Sequence, residues 1–314
     1  MLTISHNKSS IARGCWKKFD WRYNYEYTPI KKSTTLTLGS VVHQAFDMFY
    51  NGFKHEEVYK YIVDTFDEEI ARIGLEEQEG LVIARYTALG MFANYPFRSL
   101  GSFEKIESEK SFSVRVGKLR GVRFEGRIDG IVKRDGCWWV RELKTTGLNT
   151  KQFASRISTS AQSTGYIYAM RKLGFDVKGT LYDFIKKPLL RKRVNENQND
   201  FGNRIATDYL HKGDMYYGQF YSWRNEEEMQ IWEEDMITLI RDMRRRKAYP
   251  RNPDACYNYN SECPYKKICY VKTPDPLMLK LYFKHRGEVI INEHGHAEEI
   301  TSQNTKSFFR DCSN

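Results

Sequence analysis

The sequence predicts an α/β protein with a central mixed β-sheet flanked by helices and an N-terminal helical elaboration. Two observations carry this. Apolar residues recur at helical spacing over roughly the first 95 positions, and the pattern then switches to period-two alternation in three consecutive segments. A further helical stretch and a fourth alternating segment follow, and strands interleaved with helices form a layered core.

The stretch "GSVVHQAFDMFYNGF" at 39–53 puts Val42, Phe46 and Phe49 on one helical face after a glycine boundary, and two more helices are expected at about 56–72 and 76–96. Strands are expected at 105–116, 121–132 and 136–144, joined by short turns containing Gly121 and "RDG". Helical spacing returns over 151–173, "FDVKGTLYDFI" reads as a fourth strand, and "KKPLLRKR" makes a basic patch at 186–193. The run "NEEEMQIWEEDMITLIRDMRRRKAYP" opens with acids and closes with bases, as a helix dipole favours. No clean linker interrupts the chain. A single domain over 1–314 is therefore expected, with a mainly helical region (1–100), a core (101–187), a basic helical segment (188–270) and a polar tail (271–314).

The chain has 314 residues, 40% of them hydrophobic and 29% charged, which suits a globular protein with a substantial core. No run reaches the eighteen or so apolar residues of a membrane span. The opening "MLTISHNKSS" lacks the basic flank and apolar core of a secretory leader, so a cytoplasmic setting is the default expectation. The formal net charge of +10 favours a polyanionic partner, and 21 tyrosines and 6 tryptophans suit stacking on bases as well as an ordinary core. Of the six cysteines, Cys256, Cys263 and Cys269 fall in one short stretch, and without a leader a metal explains them better than disulfides.

The chemistry centres on "RELKTTG" at 141–147. If Asp135 and Gly136 form a two-residue hairpin turn, Arg134 faces Cys137, and counting outward sets Asp129 opposite Glu142. Opposed residues share a face, and Lys144, two positions on, shares it too. Two carboxylates side by side repel unless something neutralises them, and a divalent cation such as Mg²⁺ or Mn²⁺ is the natural solution. The competing reading is a solvated hairpin with a weak surface ion pair. Apolar Ile128, Ile131, Trp139 and Val140 around the acids count against it. Gln162 and Tyr166, at i and i+4, share one helix face.

Taken together, "GSVVH" (39–43), "GRIDG" (126–130), "ELK" (142–144) and "QSTGY" (162–166) resemble, in order and in the spacing of the last three, the motifs of the PD-(D/E)XK nuclease superfamily, and in particular its RecB/Cas4-like, AddB-type branch. The resemblance covers roughly residues 39–187. It implies a restriction-endonuclease-like core in which Asp129, Glu142 and the Leu143 carbonyl bind the catalytic divalent metal, with His43 as a further ligand. Lys144 is then the catalytic lysine, and Gln162 and Tyr166 line the site and contact DNA. Glu109 resembles an upstream glutamate of many members, with Glu107 as its rival. Ile128 stands where the superfamily's name has proline.

On chemistry alone the cysteines suit zinc or an iron–sulfur cluster equally. The same branch often carries one cysteine ahead of the nuclease core and three beyond it, holding a 4Fe–4S cluster. By that resemblance Cys15, Cys256, Cys263 and Cys269 are the cofactor-binding set, with Zn²⁺ as the alternative. Cys256 departs from the pattern, since six residues rather than two separate it from Cys263. Such a cluster would staple the N-terminal helices to the C-terminal segment.

The basic runs "KKPLLRKR" and "RDMRRRKAYPR" suit phosphate contacts, and the early "CWKKFDWRYNYEY" interleaves bases with aromatics. No G-x-x-x-x-G-K-S/T phosphate loop is present, although a separate helicase or recombination partner fits the resemblance. The expected function is a metal-dependent DNA nuclease, an exonuclease hydrolysing phosphodiester bonds in DNA end processing, recombination or repair. Its partner is DNA, as single strands or duplex ends. The alternative is a nucleic-acid-binding or assembly protein that keeps the fold without cleavage.

Overall fold

The computed structural model describes residues 1–30, 33–258 and 261–285. The chain divides into two compact units, one made of Met1–His6 with Ser33–Arg244, the other of Asn7–Lys32 with the chain from Arg245 onward.

The first unit contains β1 (Leu2–Ile4), α1 (Thr34–Tyr50), α2 (His55–Ala71), α3 (Leu75–Ala93), β2 (Lys105–Val114), β3 (Val122–Arg134), β4 (Cys137–Thr146), α4 (Thr150–Ser158), α5 (Ala161–Lys172), β5 (Val177–Lys186), α6 (Gln198–His211), β6 (Tyr217–Trp223) and α7 (Glu226–Arg245). The strands form one mixed six-stranded sheet in the order β1-β3-β4-β5-β6, with β2 on the other side of β3. β1 with β3 and β4 with β5 are parallel, and the remaining pairs are antiparallel.

The turn chemistry explains the register. Asp135 (φ 52°) and Gly136 (φ 72°) both take left-handed backbone, which makes the tight two-residue hairpin and sets Arg134 opposite Cys137 and Gly130 opposite Arg141. Pairing of β3 with β4 starts at Gly130, and pairing with β1 ends at Phe124. Between these limits, at 125–129, the neighbours on that side of β3 part. The opening lies where Asp129 sits, one step beyond the last paired residues.

Helix starts follow from capping side chains. Ser33 accepts from the Leu36 amide at the start of α1, Asn149 from Gln152 at α4, Ser160 from Ser163 at α5, and Asn197 from Asp200 at α6. Two sequence expectations change accordingly. Gly39 lies inside α1 rather than bounding it, because the helix is capped earlier, at Ser33. The single helix expected over 151–173 is two, since Thr159 ends α4 and Ser160 caps α5. β1, α6 and β6 were not anticipated.

One core packs α1–α3, α6 and Tyr216–Tyr217 against Leu143 and Ile185 of the sheet. α5 approaches β3 closely at Gly165, where an added Cβ would meet Trp232 at 2.7 Å and Phe124 at 3.0 Å. That glycine lets α5 bring Gln162 and Tyr166 down to β4. No helix among the described residues is long and apolar enough to cross a membrane.

The second unit gathers the helix His6–Gly14 from Asn7 onward, the turns Trp16–Phe19 and Asp20–Asn24, the strand Tyr27–Pro29 and the C-terminal elements from Pro253 to His285. Its core is Trp21, Tyr265, Ile268 and Phe283, and Phe283–His285 pairs antiparallel with Tyr27–Pro29. Residues from both ends of the chain thus fold together.

Candidate active site and cysteine cavity

β3, β4, α1 and α5 bring the sequence-selected residues of the first unit together. Asp129 Oδ2 accepts from the Leu143 amide at 2.8 Å and lies 3.2 Å from His43 Nδ1. Glu142 is buried, and its Oε1 accepts from Lys144 Nζ and, at 2.8 Å, from Gln162 Nε2. Gln162 Oε1 accepts from Lys144 at 3.2 Å while its Nε2 reaches Tyr166 Oη at 3.1 Å. The two helical residues therefore hold the acid and the lysine in place.

The carboxylates differ electrostatically. Burial works to raise the Asp129 pKa, yet the His43 hydrogen bond and charge, with the Leu143 amide, bring it below the ordinary value. Glu142 is pushed up, first by burial and then, against the pull of Lys144, by Asp129. Burial disfavours the Lys144 ammonium, but Glu142 and then Asp129 hold its pKa above the usual lysine range. Lys144 is therefore a cation in the metal-free site.

Glu109, not Glu107, faces this centre. Glu107 pairs with Ile131 on the strand ladder and bonds Lys110. Glu109 takes left-handed backbone (φ 46°) and lines one cavity with His43, Asp129, Arg127, Thr145 and Lys187. Arg127 donates to it at 2.8 Å, and burial followed by the charge of Asp47 raises its pKa. Asp47 was missed from the sequence although it lies at i+4 from His43; Ser108 donates to it at 2.6 Å. Glu142 and Lys144 do not line this cavity, which reaches the acidic centre from the α1 side at Asp129. A larger groove of ≈ 1030 Å³ beside Tyr168, Arg171 and Glu233 holds charges of both signs; Arg171 pairs with Glu226, and the Tyr168 hydroxyl donates to Glu233.

Among the described residues no three His, Cys, Asp or Glu side chains form a ready-made metal-binding group. The donors of the acidic centre are turned on one another and on Lys144, Gln162 and the Leu143 amide. One observation nevertheless fits a cation: Glu142 Oε2 is fully buried and has no hydrogen-bond partner. A buried carboxylate oxygen left so is costly.

In the second unit Cys15, Cys256, Cys263 and Cys269 line one small cavity together with Lys18, Arg251 and Lys266. Cys15 starts the Trp16–Phe19 turn, the Cys263 amide donates to the Cys256 carbonyl at 2.8 Å, and Arg251 Nε donates to the Cys269 carbonyl at 2.7 Å. All four are free thiols. Burial raises the Cys263 and Cys269 pKa values, and the Cys15 thiol adds to both. Cys137 lies elsewhere, on β4 in the first unit, and Cys312 falls outside the described residues.

No curated protein matches the chain. The sequence profile of the PD-(D/E)XK nuclease superfamily matches residues 3–270, which covers the sheet, the acidic centre and all four cavity cysteines. With that match, the mixed sheet flanked by helices is the restriction-endonuclease-like fold, and the chain belongs to the PD-(D/E)XK nuclease superfamily.

Proposed function

We propose that the protein is a divalent-metal-dependent DNA nuclease of the RecB/Cas4-like, AddB-type branch, acting as an exonuclease in DNA end processing, recombination or repair. The observation that carries this reading is the buried Glu142 carboxylate beside Asp129, whose Oε2 has no partner while Lys144 is bonded to its Oε1. A purely nucleic-acid-binding role has no use for acids placed where phosphate must approach.

Asp129, Glu142, His43 and the Leu143 carbonyl would hold Mg²⁺ or Mn²⁺, with Glu109 the next acid in reach of the same cavity. When bound, the cation supplies Lewis acidity toward a phosphoryl oxygen and makes water more acidic. Lys144 neutralises charge developing on the phosphate under attack. Without metal, Glu142 and then Asp129 keep it charged, the form that role needs. Gln162 fixes both Lys144 and Glu142, and Tyr166 fixes Gln162. Hydrolysis on this scheme leaves 5′-phosphate products.

The reading is tested by incubating labelled single strands, blunt and tailed duplexes and nicked circles with Mg²⁺, Mn²⁺ or chelator. Cleavage that depends on the cation and starts from ends is expected. A folded, metal-replete protein that cuts none of these substrates would be a binding or assembly protein instead.

A second expectation concerns pH. Glu142 and Glu109 hold their protons more tightly in the fold than in the unfolded chain, so without metal stability falls as pH rises from the ordinary value of 4.5 through the raised ones. A cation competes with those protons. Its gain in Tm should therefore be larger at about pH 8 than at about pH 5, and a gain independent of pH would contradict the assignment.

The cysteine cavity is assigned to a 4Fe–4S cluster. Four thiols converge there, and Lys18, Arg251 and Lys266 offset the negative charge such a site carries. Anaerobically purified protein should contain iron and sulfide and absorb in the visible. Cys15→Ala should lose both and unfold at a lower temperature. Zinc without iron would replace this assignment with the structural alternative.

A further inference from the structure

Thr145, Thr146 and Gly147 end the stretch on which the acidic centre is built, and the mechanism above gives them no work. β4 and β5 run parallel here, with Thr145 opposite Ile185 and Thr146 opposite Lys186. The Lys187 amide continues the ladder by donating to the Thr146 carbonyl at 2.7 Å. Alternation along the strands puts Thr145 and Lys187 on the face of Leu143 and Ile185, which packs against α1. Both line the cavity shared by His43, Glu109 and Asp129.

Two cations line this cavity. Arg127 is held by Glu109. The Lys187 side chain is half-buried and makes no hydrogen bond or ion pair with any described residue, and the Thr145 hydroxyl is equally free. Burial depresses the Lys187 pKa, and no described acid offsets it. A partly desolvated ammonium without a counter-ion is costly until an anion docks. An anionic strand approaching Glu109 and Asp129 also needs a local positive charge to draw it in. Lysine serves as a point-charge phosphate binder, and a hydroxyl adds a donor.

We propose that Lys187 and the Thr145 hydroxyl bind a phosphate of the substrate strand on the α1 side of the acidic centre and so position the neighbouring phosphodiester for attack. This rests on the nuclease reading above. The phosphate is either internal to the strand or terminal, and both share the same recognition chemistry.

The test measures binding of a labelled single strand to the full-length protein in Ca²⁺ across about 50–200 mM salt, together with kcat and KM for cleavage. Wild type, Lys187→Ala, Lys187→Arg and Thr145→Val are compared on strands with and without a terminal phosphate. Lys187→Ala should weaken binding about 10–100-fold and lower the log–log salt slope by about one. KM should rise more than kcat falls, and Lys187→Arg should restore the slope. Thr145→Val should weaken binding without changing the slope. A loss seen only with terminally phosphorylated strands assigns the terminal phosphate, and a loss on both assigns an internal one. Unchanged affinity and slope in Lys187→Ala, with wild type still cutting DNA, overturns this inference alone. A wild type that neither binds nor cuts DNA overturns the nuclease reading and this inference with it.

Discussion

Replacing Asp183 with alanine is expected to destabilise the protein by about 3–5 kcal/mol, among the larger effects of a single substitution. Asp183 and Arg141 form an ion pair at 2.6 Å, and their side chains are 0% and 2% exposed. Asp183 also accepts from Tyr95 at 3.0 Å and from Gln219, and the Arg141 guanidinium lies 4.4 Å from the centre of the Tyr50 ring. Removing the carboxylate would strand the guanidinium among apolar and aromatic groups. The pair itself need not be a net stabiliser, because two charges must leave water to form it. The joint replacement Arg141→Met with Asp183→Leu should therefore cost much less than Asp183→Ala alone. Urea unfolding of the two variants separates these outcomes. Equal losses would show that the ion pair is not what the core depends on at this point. The pair also matters to the site. Tyr50 is on α1, the helix that presents His43, and Arg141 directly precedes Glu142, so the network ties that helix to the strand carrying the acid.

The second large effect is expected at Lys144. Lys144→Ala should reduce kcat about 10²–10³-fold, the scale of removing one well-placed group that stabilises transition-state charge. Strand binding should change far less, since the phosphate contacts proposed for Lys187 and Thr145 stay in place. The substitution also leaves Glu142 buried beside Asp129 without its ammonium partner, so metal-free Lys144→Ala should melt below wild type and recover part of the difference when Mn²⁺ is added. A variant that loses activity only in proportion to its loss of folded protein would mean that Lys144 is structural.

Much of this centre is legible in the chain. The hairpin dipeptide fixes the register, and the register brings Asp129 beside Glu142 before any coordinates are considered. Gln162 and Tyr166 follow from helical spacing, and the four motifs in order identify the superfamily. What escaped has physical reasons. Arg141 stands in the same short stretch as Glu142 and Lys144, but period two turns it to the opposite face, and its partner Asp183 comes from a strand that follows two intervening helices. The basic run at 186–193 suits phosphate contacts as a whole, but its composition does not single out Lys187, which alone of the run lines the cavity with His43 and Asp129. Asp47 carries no signal beyond its spacing from His43. The choice between Glu107 and Glu109 depended on a left-handed residue inside β2, which residue type did not announce. β1 and β6 are sheet-edge strands whose pairing partners lie far away in sequence, where local alternation is weakest.

The central claim is that Asp129, Glu142 and Lys144 form a hydrolytic, cation-dependent centre. Its most direct test is single-turnover cleavage of end-labelled DNA in saturating Mn²⁺ by folded wild type and folded Lys144→Ala side by side. The account predicts Mn²⁺-dependent loss of label from the wild type and a rate lower by about 10²–10³-fold in the variant. Equal rates in the two proteins would contradict it.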